Sequence, residues 1–552
     1  MKRKLFYAVL FTSLLALTAC GGNNSGNNDN SSDGGNDSSS PKEEEYNIIR
    51  PDFTPNYDTF EATPEPFGFN MTYYTDVYSR GFAWFTDKTA EDTELYLVQS
   101  DKGEQADFSN ATRIEGTSLE IEYNADGNLT SVDGSIPKTK GSSNDVTLNL
   151  YSHKVHVENL EKGKAYSYKV GAEQGYCYGA FVVEEEHAKS ITAIHMSDSQ
   201  TKDLTKLNVW RNTFTKAVDT AGKELDLALY NGDQFDQNME KIDSVRQIRF
   251  NTYSKALDVI NDYKFDIPYM TSSGNHEPSS PYSHYIMGEI NYAGYDYKGC
   301  YYSYDYDYAH FVVLNTNTIN DDQINWLKED LDGASNVKWK IVMLHIALYS
   351  TGDHSNDSEN QNIVKKLTPI FSEKHVDLVL QAHDHTYNKT LPYKWDAAGY
   401  TETYNNEEVV NLNPSKKTVE QVEYDNNPDG TYYVTTGAAG HRQGASEASD
   451  GIWAECVVDN GQIKGLNPSK TFVNNKYKIE LGEITQDTQL EPYTTGSYTS
   501  DQHYEVGDPA TGCVNAPMFG VLNLTENTMS YHVYTAKEDN VHLFDTLDVY
   551  KD

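Results

Sequence analysis

The run Ser190-Ile191-Thr192-Ala193-Ile194-His195-Met196, followed at once by Ser197-Asp198-Ser199-Gln200, sets the fold class. An apolar, β-branched stretch of this length predicts a strand. The same grammar recurs downstream. Leu225–Tyr230 runs into Asn231-Gly232-Asp233-Gln234-Phe235-Asp236, and Pro268–Thr271 precedes Gly274-Asn275-His276-Glu277. Lys340–Leu344 ends in His345, Val376–Leu380 ends in Gln381-Ala382-His383-Asp384-His385, and Phe311–Leu314 is a further strand. Helical spacing over Lys206–Val218 and Val245–Ile260 lies between them, so this half reads as α/β. Ligands of open α/β sheets bind beyond the carboxyl ends of strands. The polar clusters, distant in sequence, should therefore meet on one rim.

Their chemistry is that of a metal site. Asp, Asn and His offer oxygen and imidazole nitrogen, a donor set suited to Zn, Mn or Fe. Two neighbouring ions need a shared carboxylate, and Asp233 in its Gly-Asp turn is the natural bridge. Such a pair polarises a phosphate oxygen and can lower the pKa of bound water from about 15.7 to about 7. His276, beside Asn275 and Glu277, is placed to protonate a leaving oxygen. Each cluster alone has an ordinary explanation: a strand-ending turn at Asp198 or Asp233, a packed core His at 345, a surface loop at 383–385. It is their joint occurrence, in order, that carries the reading.

In that order they resemble the calcineurin-type metallophosphoesterases, and within them the purple acid phosphatase branch. That family reads D-x-G or D-x-H, then G-D-x-x-[YD], G-N-H-[DE], an isolated His after an apolar run, and G-H-x-H. The resemblance implies a two-sheet αββα domain over residues 187–552. It implies Asp198, Asp233 and His385 around one metal, and Asp233, Asn275, His345 and His383 around the other. It also implies His276 and His354 facing substrate. The activity implied is that of an acid phosphatase-like phosphomonoesterase acting on a small phosphorylated substrate. A phosphodiesterase or nucleotidase of the same fold, and a catalytically weak surface binding protein, stay open as alternatives. The chain departs from the pattern in three places. Gln200 stands where many relatives place a His; it either coordinates through its carbonyl oxygen or hydrogen-bonds a ligand. Asp236 stands at the tyrosinate position of the purple enzymes, so colour from tyrosinate on ferric iron is not expected there. Ala382 replaces the usual Gly.

Upstream, residues 46–186 read as all-β. Phe67–Tyr74, Arg80–Thr86, Glu94–Val98, His153–Val157 and Tyr166–Val170 are short, alternating segments separated by turn residues. Leu160 to Val170 resembles a late strand of fibronectin type III domains, in which a Tyr hydroxyl ties back to an upstream corner. A β-sandwich is expected, with nothing catalytic in it.

The N-terminus is a targeting segment. Lys2, Arg3 and Lys4 precede the apolar run Leu5–Leu17, too short to span a bilayer. Leu17-Thr18-Ala19-Cys20 resembles the bacterial lipobox, which implies a diacylated Cys20, export, and a body held at the membrane outside the cytoplasm by its lipid alone. Residues 21–45, rich in Gly, Asn, Ser and Asp, predict a tether.

Composition narrows the partners. With 83 acidic against 44 basic residues and a formal charge of −39, the chain lacks the basic footprint of a nucleic-acid binder. Cys177, Cys300, Cys456 and Cys513 allow three disulfide pairings, with Cys456–Cys513 favoured as both lie late in the chain. His195 and His310 read as packed or hydrogen-bonded strand residues, and His284 as a loop residue. The Tyr/Asp-rich run Tyr292–Tyr308 suggests paired strands. Thr431 to Gly440, Val521–Leu524, Met529–Tyr534 and Leu543–Tyr550 complete the sheets, with an insertion at about 445–515.

Overall fold

The computed structural model describes residues 66–124, 129–132, 146–234, 267–276, 301–349, 354, 358–394, 410–440, 455–481 and 517–552, short breaks within these ranges apart. The signal segment and tether, the expected helix Val245–Ile260, Asp236, Glu277, His284, Cys300, Cys513, the Cys456 side chain and most of the 445–515 insertion lie outside the described residues.

Nine strands open the described chain: β1 (Phe67–Thr72), β2 (Arg80–Asp87), β3 (Glu94–Gln99), β4 (Thr112–Glu115), β5 (Thr117–Asn124), β6 (Leu129–Val132), β7 (Val146–Val157), β8 (Ala165–Ala172) and β9 (Gly175–Val182). They form two antiparallel sheets, ordered β1-β2-β7-β5-β6 and β4-β3-β8-β9. Strict alternation sends Phe69 and Met71, Phe82 and Trp84, Leu95 and Leu97, Val155 and Val157, and Tyr168 and Val170 into one apolar core. The Tyr166 hydroxyl accepts from the Glu161 amide at 3.1 Å, the upstream tie expected from its sequence context.

The next strands are β10 (Ile191–Met196), β11 (Leu225–Tyr230), β12 (Tyr269–Thr271), β13 (Tyr302–Tyr306), β14 (Ala309–Val313), β15 (Trp339–Ile346), β16 (Leu378–Ala382) and β17 (Tyr387–Lys389). After the short pair β18 (Tyr393–Lys394) and β19 (Val410–Asn411) come β20 (Ser415–Val419), β21 (Val422–Asn426) and β22 (Tyr432–Thr436). Then follow β23 (Glu455–Asp459), β24 (Gln462–Gly465), β25 (Phe472–Asn474), β26 (Tyr477–Leu481), β27 (Met518–Leu524), β28 (Thr528–Lys537) and β29 (Asn540–Tyr550). One sheet runs β12-β11-β10-β27-β28-β29-β21-β20, the other β13-β14-β15-β16-β22-β17-β23-β24-β26-β25. The insertion is thus partly sheet, since β23 to β26 extend an edge.

Every second residue of the parallel strands faces the partner sheet. Ile191, Ala193, Leu227, Leu229, Ile341, Met343, Leu378 and Leu380 share one core. Their neighbours Val312, Val342, Leu344 and Val379 face outward onto Leu327 and Leu331 of α2 (Asp321–Gly333, after α1 at Leu204–Ala221) and Leu367 and Phe371 of α3 (Ser358–Glu373). Burial on both faces explains the unbroken apolar runs in the sequence. No helix among the described residues is long and apolar enough to cross a membrane.

A buried ion pair ties the first two sheets to each other, and Tyr73 beside it packs them against the rest. Arg80 Nη2 lies 2.7 Å from Glu184 Oε2, and Tyr73 Oη donates to Glu184 Oε1 at 2.5 Å. The Tyr73 ring packs 5.3 Å from Tyr304. Residues from Tyr46 onward form one compact unit.

The described end of the Tyr/Asp-rich run pairs: β13 turns at Asp307 into β14. His310 there is held by Asp305 at 2.7 Å and Asp330 at 2.9 Å. Burial opposes its charge, but the two carboxylates win and push it up to about 9. Against an unfolded value of about 6.5, this pairing stabilises the fold fully below that pH and is lost as pH rises through about 9. His310→Gln should cost on the order of 2 kcal/mol at pH 6 and much less at pH 9.5. Urea unfolding at both pH values measures it, and an equal cost at both would refute the assignment.

Candidate metal centre

Six of the seven residues expected as ligands come together at the carboxyl ends of β10, β11, β12, β15 and β16; the seventh, Gln200, lies against them. The turns that carry them are cross-linked. The Asp198 amide donates to Gly232 O at 3.0 Å and the Gln200 amide to Asp233 O at 2.9 Å. Gly232, at φ +79°, sits so close to the next turn that an added Cβ would lie 2.4 Å from Gly274 N. Asp198, Gln200, Asp233, His383 and His385 all have positive φ. Asp, Asn and His tolerate this region best among residues other than glycine. Concentrating it in one site is a cost that cores avoid and functional sites accept.

Carboxylates and imidazoles interleave. Asp233 Oδ1 lies 3.3 Å from His345 Nε2, and Asp198 Oδ1 lies 3.3 Å from His385 Nε2. His345 Nε2 is also 2.9 Å from Asn275 Oδ1. The ligand atoms of Asp233, His345 and His383 lie within 4.8 Å of one another, and so do those of Asp198, Asp233 and His385. The two triads share Asp233. Asp198 Oδ1 is fully buried with the His385 imidazole facing it. Two buried carboxylates side by side, faced by imidazole nitrogens, fit cations.

The protonation pattern agrees. Burial works against ionising Asp233 and Asp198, yet the facing histidines, His345 first for Asp233 and His385 first for Asp198, hold both below the usual carboxylate range. Burial likewise opposes a charge on His345, but Asp233 and then Asp198 push it up to about 10. His383 is pushed down to about 3 by burial and by His345 and His354 beside it. Positive charge is demanded here, and a metal ion would take the place of the His345 proton.

The remaining expected residues fall around this core. Gln200 Nε2 donates to Asp233 Oδ2 at 3.1 Å, so its amide lies against the shared carboxylate. The His276 amide donates to Asp233 Oδ1 at 2.8 Å, while its ring, about a quarter exposed, has Nε2 3.7 Å from Asp233 Oδ2. The exposed His354 lies with its ring 4.2 Å from that of His383, and its backbone is clamped by Asp384 Oδ1 and Asn360 Nδ2. His195 is a packed residue, bonded through Nδ1 to Tyr531 Oη at 2.6 Å.

The sequence reading passed over Asn231, whose backbone carbonyl accepts from His345 Nδ1, and Asp384, whose carboxylate accepts from the His354 amide. Both stood in plain view inside the ligand clusters; only the three-dimensional partners reveal their work.

Residues 191–387 match the family described as calcineurin-like phosphoesterase. The chain carries a calcineurin-like phosphoesterase domain. The matched span contains every residue of the site just described. Acid phosphatase type 7 of Mus musculus is 27% identical over 270 residues, covering 44% of this chain and 58% of that protein. The Homo sapiens counterpart is 27% identical over 288 residues, covering 47% and 60%. The chain thus spans about three fifths of the length of these curated relatives. A purple acid phosphatase from yellow lupin (Lupinus luteus) seeds superposes with a TM-score of 0.54 at 12% identity, over 88% of this chain and 75% of that one. That likeness is one of fold alone.

Proposed function

We propose that this protein hydrolyses phosphate esters, as an acid phosphatase-like phosphomonoesterase, with a pair of metal ions. The observation that carries this is the convergence of two triads on one shared carboxylate, Asp233, inside a phosphoesterase domain. Asp198, Asp233 and His385 would hold one ion; Asp233, Asn275, His345 and His383 would hold the other. When bound, such a pair polarises phosphoryl oxygens and makes water nucleophilic near neutral pH. Zn, Mn and Fe all suit these donors.

The chain's own residues do the rest. Buried Asp233 and Asp198, kept ionised, set the charge of the site. His276 stands at the rim, anchored through its amide to Asp233 and with its ring reaching solvent, in position to give a proton to a departing alkoxide. His354, held against His383, offers a second N–H donor to phosphoryl oxygen. The paired upstream sheets, with their tyrosine tie, are read as a fibronectin type III-like unit that braces the domain. The lipobox-like Cys20 and the tether after it support a lipid anchor outside the cytoplasm as part of this reading. Labelled palmitate should enter the wild-type protein and not a Cys20→Ser variant; equal labelling of the two would remove the anchor.

The deciding test is hydrolysis of nitrophenyl phosphate and bis-nitrophenyl phosphate by protein stripped of metal and refilled with Mn, Zn or Fe. Metal-restored release supports the proposal, and the preferred ester separates monoesterase from diesterase. No release from either ester by protein shown to bind two metal ions would overturn the phosphatase reading and favour a binding protein.

A further inference from the structure

We propose that Asn231 is a positioning residue that fixes the aim and the tautomer of His345, and so sets the affinity of the second cation site. The inference rests on the metal reading above.

The starting observation is a β-bulge. Along β15 and β16 the pairs Met343↔Leu380 and Ile346↔Ala382 leave two residues, Leu344 and His345, opposite the single Gln381. Bulges are unusual between parallel strands; they bend the bulged strand and re-aim a side chain. Here the re-aimed side chain is His345, and the break in the ladder withdraws regular partners from nearby backbone carbonyls.

Asn231 supplies the replacements from the other sheet. It follows β11 directly, and its Nδ2 donates to Leu344 O at 3.1 Å and to Leu380 O at 2.7 Å, one carbonyl from each parted strand. Both of its amide protons are thereby used to hold the gap at one width. Its own backbone carbonyl accepts from His345 Nδ1 at 2.7 Å. A carbonyl can only accept, so Nδ1 carries the proton and Nε2 is the nitrogen that faces Asp233 and Asn275. One fully buried residue therefore closes the bulge, spans the two sheets and selects the metal-facing nitrogen. Behind it stands a polar chain, His195 with Tyr531 and Thr436. Gly520 leaves room for the Tyr531 hydroxyl, which a Cβ there would approach to 2.1 Å.

Partners that orient a ligating His typically change metal affinity by about 10- to 100-fold. The experiment compares wild type, Asn231→Ala and Asn231→Asp. The aspartate has the shape of asparagine but, ionised, lacks the two donors. Mn²⁺ binding is titrated against a chelator, and thermal unfolding is followed without metal. Expected is that one of two Mn²⁺ ions per chain is bound about 10- to 100-fold more weakly in both variants, with the other little changed. Two unaltered Mn²⁺ affinities alongside a lowered unfolding temperature would overturn the inference, leaving Asn231 a purely structural residue. Wild type that binds no Mn²⁺, Zn²⁺ or Fe would overturn the metal reading itself, and this inference with it. If neither variant folds, ¹⁵N spectra of histidine-labelled, Zn²⁺-loaded wild type decide. A protected Nδ1–H on His345 supports the assignment, and an Nε2–H tautomer refutes it.

Discussion

Asp233→Asn should abolish turnover and leave the fold in place. The residue sits at φ +54°, a conformation asparagine accepts as readily as aspartate, so the turn survives. Its buried side chain is the one member common to both triads. Asparagine keeps the shape but removes the charge that two cations would share. Losing about 4 kcal/mol of electrostatic stabilisation lowers the rate about 10³-fold, and loss of an ion lowers it further. The paired measurements are kcat with nitrophenyl phosphate and metal content per chain. Near wild-type turnover with two bound ions would remove Asp233 from its role as bridge.

His276→Gln is expected to discriminate among leaving groups. A nitrophenolate departs without help, whereas an alkoxide needs a proton in the transition state, and general acid catalysis supplies about 10²–10⁴-fold. The amide bond from residue 276 to Asp233 Oδ1 is made by the backbone, so the substitution should not disturb the ligands. Turnover of an alkyl phosphate such as glycerol phosphate should fall by about 10²-fold or more, and that of nitrophenyl phosphate by less than about tenfold. Equal losses on the two esters would assign His276 to binding, not to proton transfer.

The strands of the phosphoesterase domain were legible because they are buried on both faces. Leu225–Tyr230 emerges from the sequence with the bounds it has in the fold, and most others differ by a residue or two. The ligands were legible because short polar clusters at strand ends have few other reasons to recur. The helices α2 and α3 were not anticipated. α2 has an Asn320 cap and acidic residues in its first turn, but its buried apolar anchors Leu327 and Leu331 stand among many charged residues. α3 carries Pro369 within it, which reads in sequence as a stop. The β20–β21 hairpin turns through Glu420 and Gln421, both at positive φ, without the Asn or Gly that announces such a turn. The bulge at Leu344–His345 is invisible in sequence, because one extra residue in a ladder shows only against its partner strand. That is why Asn231 passed unnoticed among its polar neighbours.

The placement of β10 bears on how the protein is made. The strand that ends in Asp198 pairs on one side with β11, a near neighbour in sequence, and on the other with β27, which starts at Met518. A ribosome releases the second partner only after most of the chain has emerged, so an N-terminal fragment cannot complete the sheet that holds the first ligand turn. The Ser197 carbonyl is likewise taken by the Ala439 amide, and the Ala438 carbonyl by Met518. Prematurely ended or clipped chains should therefore lack a formed centre. The centre is thus a property of the finished molecule, assembled only when the last strands close the sheet.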